Sequence, residues 1–121
     1  MLKQAIFTTV AAASALLVAA ADQSQLAPAF KNTVVSTYPD GRTARLWLSS
    51  DGSYTAEGRR KDRSSGHWKV KGDKICLRQS HPATLPLSYC TALPSGGVGS
   101  TWSAKSVFGD PLKVTLVAGR S

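Results

Sequence analysis

Reactive side chains are scarce in this chain of 121 residues: it has two cysteines, two histidines and a single glutamate, and seven carboxylates in all. Each scarcity removes a chemistry. A structural zinc site needs four Cys or His ligands, usually in close pairs. Cys76 and Cys90 are not a C-x-x-C pair and no second pair exists; Cys76 and His81 alone make a poor ligand set. Glycosidase chemistry needs two acids flanking a cleft. Here Asp40, Asp51 and Asp73 each adjoin a glycine, as turn residues do, and Glu57 stands alone. A serine triad needs an oriented histidine and an oxyanion hole. No G-x-S-x-G elbow is present, and His67 and His81 fall on a strand's outer face and before a proline. The glycine loop Ser95-Gly96-Gly97-Val98-Gly99-Ser100 has no Lys after its last glycine, so it is no phosphate loop and reads as a mobile hairpin loop. Length excludes two domains, a full dinucleotide fold or a β/α barrel. The expectation is a non-enzyme without cofactor or metal.

The hydrophobic content of 42% is concentrated at one end. Met1-Leu2-Lys3-Gln4 carries one positive charge, Ala5 to Val18 carries none, and Ala19-Ala20-Ala21 supplies small residues. This is the layout of a secretory signal peptide cut after Ala21. Thr8, Thr9 and Ser14 make the run a poor membrane span. The expected mature chain is therefore secreted or periplasmic and does not span a membrane. It divides into an N-terminal segment, 22–32, and a β domain, 33–121. In an oxidising compartment two cysteines pair, and Cys76–Cys90 is the sole pairing available.

Glycine and proline punctuate the remainder. Pro39-Asp40-Gly41, Asp51-Gly52 and Gly72-Asp73 are turn signals. Between them apolar residues recur at every second position: Ala44, Leu46, Leu48; Tyr54, Ala56, Gly58; Trp68, Val70; Ile75, Leu77; Leu85, Leu87, Tyr89; Leu112, Val114, Leu116, Ala118. Period two in short runs between turns predicts an all-β antiparallel meander. Six to eight strands are expected, forming a small barrel or a strongly bent sheet with one disulfide. That disulfide would join strands Lys74–Arg78 and Leu85–Cys90 across an exposed connection at 79–84. A short helix around Gln23–Lys31 is interrupted by Pro28. Trp47 shares a face with Arg45. It is either an exposed anchor or packed beneath the N-terminal segment against Phe30.

Charge is the uneven feature. Fifteen Lys and Arg oppose seven acids. Arg59, Arg60, Lys61, Arg63, Lys69 and Lys71 crowd one stretch, with Lys74 and Arg78 just beyond it and Asp62 and Asp73 among them. Read as a hairpin loop and the strand after it, they form a positive patch able to attract an anionic envelope component or polysaccharide. Nucleic-acid surfaces interleave exposed aromatics for stacking. The one aromatic here, Trp68, has inward parity, which argues against nucleic acid. The expected function is a non-catalytic binding module. The rival readings are an inhibitor of a secreted hydrolase, presented on the proline-bearing loop 79–86, a small enzyme using His67 or His81, and a carrier of a small apolar ligand, should the barrel interior be unfilled.

The rhythm Asp51-Gly52-Ser53-Tyr54, Gly66-His67-Trp68, Gly72-Asp73-Lys74-Ile75-Cys76, Tyr89-Cys90 resembles small exported proteobacterial proteins of a domain-of-unknown-function type. Asp110-Pro111-Leu112 to Gly119-Arg120 fits the same pattern. The resemblance covers most of 33–120 and implies export, a β-rich fold and a disulfide, but no reaction. Gly66-His67-Trp68 also looks like the G-x-W of lipocalins, where it lies on the first strand of a larger barrel rather than mid-chain.

Overall fold

The computed structural model describes residues 25–83 and 88–120. The signal peptide expected over 1–21 lies outside the described residues, as does the strand start expected at Leu85 and Leu87. Among the described residues, one short helix and eight strands follow one another: α1 (Ala27–Phe30), β1 (Thr33–Thr37), β2 (Thr43–Leu48), β3 (Ser53–Glu57), β4 (Arg63–Lys71), β5 (Lys74–His81), β6 (Ser88–Ala92), β7 (Thr101–Lys105) and β8 (Pro111–Val117). All the strands belong to one antiparallel sheet in the order β6-β5-β4-β3-β2-β1-β8-β7. The first strand pairs along its whole length with the last, from Thr33↔Val117 to Thr37↔Lys113. The meander thereby curls into a barrel whose one unpaired seam lies between β6 and β7. No helix among the described residues is long and apolar enough to cross a membrane.

Alternation decides which residues face in. Leu48, Tyr54, Ile75, Val114 and Leu116 are buried, and Leu46, Trp68, Val70, Leu77 and Trp102 pack against them. One end of the barrel is plugged. Leu26 and Ala29 of the helical segment are fully buried there, and Phe30 stacks on Trp68 with ring centroids 5.7 Å apart. The Trp68 indole N–H donates to Ser49 O at 2.8 Å. Pro28 does not break the helix. It lies in the first turn, where its missing N–H has no partner to lose. The C-terminal segment seals this end: Arg120 Nη1 donates to Phe30 O at 2.7 Å and to Leu48 O at 2.8 Å.

At four of the strand reversals the chain solves the same problem in the same way. In 38–42, 49–53, 58–62 and 106–110, the first residue's N–H donates to the fifth residue's carbonyl, and the fourth residue's N–H donates back to the first residue's carbonyl. This is a three-residue hairpin loop whose fourth position takes a left-handed backbone. Glycine occupies that position at Gly41, Gly52 and Gly109, with φ of 85°, 94° and 91°; at Lys61 it is a lysine, with φ of 68°. A side chain there meets its own carbonyl and costs about 1–2 kcal/mol.

Three expectations change. Gln79, Ser80 and His81 are not loop but the end of β5, which a register shift opposite Ser65 and Gly66 carries onward. The glycine segment 95–100 is not a hairpin, since β6 and β7 do not pair. It crosses the plugged end, where Gly99 N donates to Leu116 O and Leu116 N to Ser100 O. Thr33–Thr37 and Thr101–Lys105 are strands that the alternation had not marked. The disulfide is as expected. Cys76 and Cys90 are direct partners on β5 and β6, bonded with Cα atoms 3.9 Å apart. It clamps an edge strand of the seam to its neighbour.

Gly66 permits the close approach of β4 to β5. A Cβ at Gly66 would lie 2.0 Å from Arg78 O, whereas one at Gly97 would meet nothing within 4 Å. In urea denaturation, Gly66→Ala is expected to lose about 1–3 kcal/mol and Gly97→Ala to lose almost nothing. Lys61→Gly is expected to gain about 1 kcal/mol by relieving the left-handed lysine. A neutral Gly66→Ala would contradict the close approach, and a destabilised Lys61→Gly would contradict the strain.

Candidate functional site

Above the plug the barrel is hollow. The inward positions nearer the open end carry small side chains: Ser36 and Ala44 are partners across β1 and β2, Ala56 and Ser64 across β3 and β4, and Ala104 faces in from β7. These cannot meet across the width of an eight-stranded barrel, which is large enough to hold one small ligand when its side chains do not fill it. A cavity of about 270 Å³ results. Leu48, Tyr54 and Ile75 form its floor, and Leu46, Leu77, Leu112 and Val114 its walls. Its lining continues through Ala92, Pro94 and Trp102, which flank the unpaired seam. That volume lies just below the range of typical ligand pockets, about 300–1,000 Å³.

The mouth is polar. Among the described residues, the reversals 38–42, 58–62 and 106–110 and the end of β5 meet at the open end. The Tyr38 ring lines the cavity and carries the Arg59 guanidinium 4.3 Å above its centroid. Burial raises the Tyr38 hydroxyl above the ordinary tyrosine range, while Arg59 pulls it down; Tyr89, Asp110 and Asp62 act in the raising direction. Groups from different connections thus face one another across the opening. The Tyr89 hydroxyl donates to Lys105 O, a side-chain bridge over the seam at the mouth. Gln79, whose side-chain amide N–H donates to Pro82 O at 3.0 Å, also lines the cavity.

Compared with protein-family models, curated proteins and solved structures, the chain matches none. The geometry therefore carries the functional reading.

Of the basic residues singled out from sequence, Arg59, Arg60, Lys61 and Arg63 sit at or beside the mouth, on the β3–β4 reversal. Lys69 and Lys71 do not join them. They lie on the outer face of β4 toward its other end, about 20 Å or more from Arg63 at the usual rise per residue. Within the first group, Arg59 Nη1 is 3.7 Å from Asp40 Oδ2, and Arg63 Nη2 is 3.4 Å from Glu57 Oε2. Arg60 and Lys61 are exposed and form no ion pair among the described residues. His67 and His81 are both exposed and on different strands. Loop 79–86 is described only as far as Ala83.

Trp47 is not an exposed anchor, and the ring on which Phe30 stacks is that of Trp68. Trp47 lies half-buried on the outer face, and its indole donates to Thr33 Oγ1 at 3.0 Å. Thr33 in turn donates to Gly119 O at 2.6 Å.

Sequence reading left an unfilled interior open as a rival and did not place the hollow. Its signal was available in the alternation: Ser36, Ala44, Ala56, Ser64 and Ala104 are inward residues too small for a filled core.

Tyr54 in the cavity floor is buried, which raises its hydroxyl above the ordinary value of 10.0. A folded-state value above the unfolded one favours the folded protein below that pH, and the advantage is lost as pH rises through the folded value. Stability to urea is expected to fall above about pH 10, and Tyr54→Phe to flatten that fall, leaving the part due to Tyr38. Identical profiles for the two proteins above pH 10 would contradict the burial of the Tyr54 hydroxyl.

Proposed function

We propose that this chain is an exported binding module that carries one small, mainly apolar molecule in its barrel. The polar end of that molecule lies at the mouth, among Tyr38, Ser64, Gln79 and Tyr89. The observation that carries the reading is the unfilled interior, about 270 Å³ with mostly apolar walls. Protein interiors ordinarily pack as densely as organic crystals, and each void forfeits stability. In this barrel the emptiness is confined to the end that opens to solvent, while the opposite end is packed with Leu26, Phe30 and Trp68. The chemistry supported is non-covalent transfer of apolar surface out of water. A medium-length acyl chain with a carboxylate, phosphate or hydroxyl end has the right form.

Anionic envelope binding through all six basic residues as one patch is less well supported, because Lys69 and Lys71 are at the far end of the strand. Export rests on the leader-like segment 1–21 and on the disulfide, which suits an oxidising compartment.

Displacement of a fluorescent fatty acid by unlabelled fatty acid tests the cavity. Ala56→Leu and Ala104→Leu, which put bulk into the hollow, are expected to weaken binding by about tenfold or more, with urea midpoints at or above that of the parent. Unchanged binding in both folded variants, or no binding by the parent, would overturn the reading.

A further inference from the structure

The mouth carries features that a ligand cavity alone does not require. Phe108 is 92% exposed and Val107 50% exposed, at the tip of the reversal between β7 and β8. This tip is firmly built. Ser106 N donates to Asp110 O at 2.9 Å and Gly109 N to Ser106 O at 3.0 Å. The Ser106 hydroxyl and Asp110 carboxylate are 3.0 Å apart, and Asp110 N donates to the same hydroxyl at 3.0 Å. A phenylalanine held outward on such a turn is a fixed projection, and Val107 beside it lines the cavity.

The basic reversal 58–62 stands at the same rim. Asp110 from one turn and Arg59 from the other both act on Tyr38. Arg60 and Lys61 point to solvent without an acid partner among the described residues. Lys61 also holds the strained left-handed position that Gly41, Gly52 and Gly109 hold in the three sister turns. Strain at an exposed, charged turn tip points from structure toward function.

We propose that the open end docks on an anionic phospholipid surface. Phe108 and Val107 enter the headgroup–acyl boundary, and Arg60 and Lys61 meet lipid phosphates. An apolar wedge beside cations is what an interface of that chemistry accepts. The proposal rests on the carrier reading and extends it. With the mouth seated on the membrane, an apolar chain can pass between bilayer and cavity without crossing water.

Co-sedimentation with phosphatidylcholine vesicles, with and without phosphatidylglycerol, tests it. The protein is expected to bind vesicles containing phosphatidylglycerol and to be released by salt. Phe108→Ser is expected to weaken that binding by about tenfold. Lys61→Gly, expected to be the more stable protein, should nonetheless bind the vesicles less tightly, so unfolding cannot explain its loss. Both variants should still displace fatty acid like the parent. Equal vesicle binding by parent, Phe108→Ser and Lys61→Gly overturns the docking proposal, and so does absence of vesicle binding by the parent. Concentration-dependent dimerisation abolished by Phe108→Ser, without vesicle binding, would assign the face to a second copy instead. Ala56→Leu separates the two ideas: if it loses fatty acid yet keeps vesicles, cavity and docking face are independent. Vesicle binding without fatty-acid binding by the parent would sink the carrier reading alone.

Discussion

Pairing of the first strand with the last is the interaction on which everything else depends. Without β1 on β8, the chain would divide into a six-stranded sheet and a separate β7–β8 hairpin, and Val34, Leu46, Val114 and Leu116 would face water. With it, eight short strands enclose an interior and leave one seam, between β6 and β7. The remaining devices protect that closure. The Cys76–Cys90 bond holds β6 against β5 at the seam's edge, and Tyr89 reaches across to Lys105. At the plugged end, Arg120, Gly119 and Asn32 tie the chain's last residues to the entry of β1. In the chain-entropy view a disulfide closing a loop near 15 residues contributes roughly 3 kcal/mol. That is a large share for a small domain, whose net stability is typically about 5–15 kcal/mol.

Closure also sets a volume, and the sequence fills it unevenly. Large side chains crowd one end and small ones line the other. The crowded end needs no further partner. The hollow end has Tyr38 and Tyr89 at its rim, two of the rare residues with both an apolar ring and a polar tip. Rim and interior together suit a molecule that is apolar along its body and polar at one end. The same rim carries Phe108, Arg60 and Lys61, which suit the interface where such molecules are found.

Much of the fold was legible because alternation is a direct record of which face is buried. Leu46 and Leu48, Tyr54 and Ala56, Trp68 and Val70, and Leu112 through Leu116 showed their strands plainly. Two strands were hidden for physical reasons. In β1 the inward Ser36 is polar and the outward Val35 apolar, which inverts the pattern. In β7 only Trp102 and Ala104 mark the inner face, after a glycine-rich run that reads as loop. The end of β5 was obscured by polar Gln79, Ser80 and His81, residues that a sheet accepts at a bulge beside an open mouth. Gly66-His67-Trp68 was visible as a motif, but its meaning was not. Gly66 admits the Arg78 carbonyl, and Trp68 anchors the plug. The cavity was legible only as an inventory of small inward residues, and that inventory has meaning once closure is known. The basic cluster was legible in composition but not in space, since linear proximity along β4 becomes separation along an extended strand.

The most direct measurement is methyl NMR of the protein titrated with a medium-chain fatty acid. The account predicts saturable shifts at Ile75, Leu77, Leu112 and Val114, inside the hollow, with Val98 and Val117 on the outside undisturbed. Shifts confined to Val98 and Val117, or interior methyls that never respond, would contradict an accessible hollow barrel.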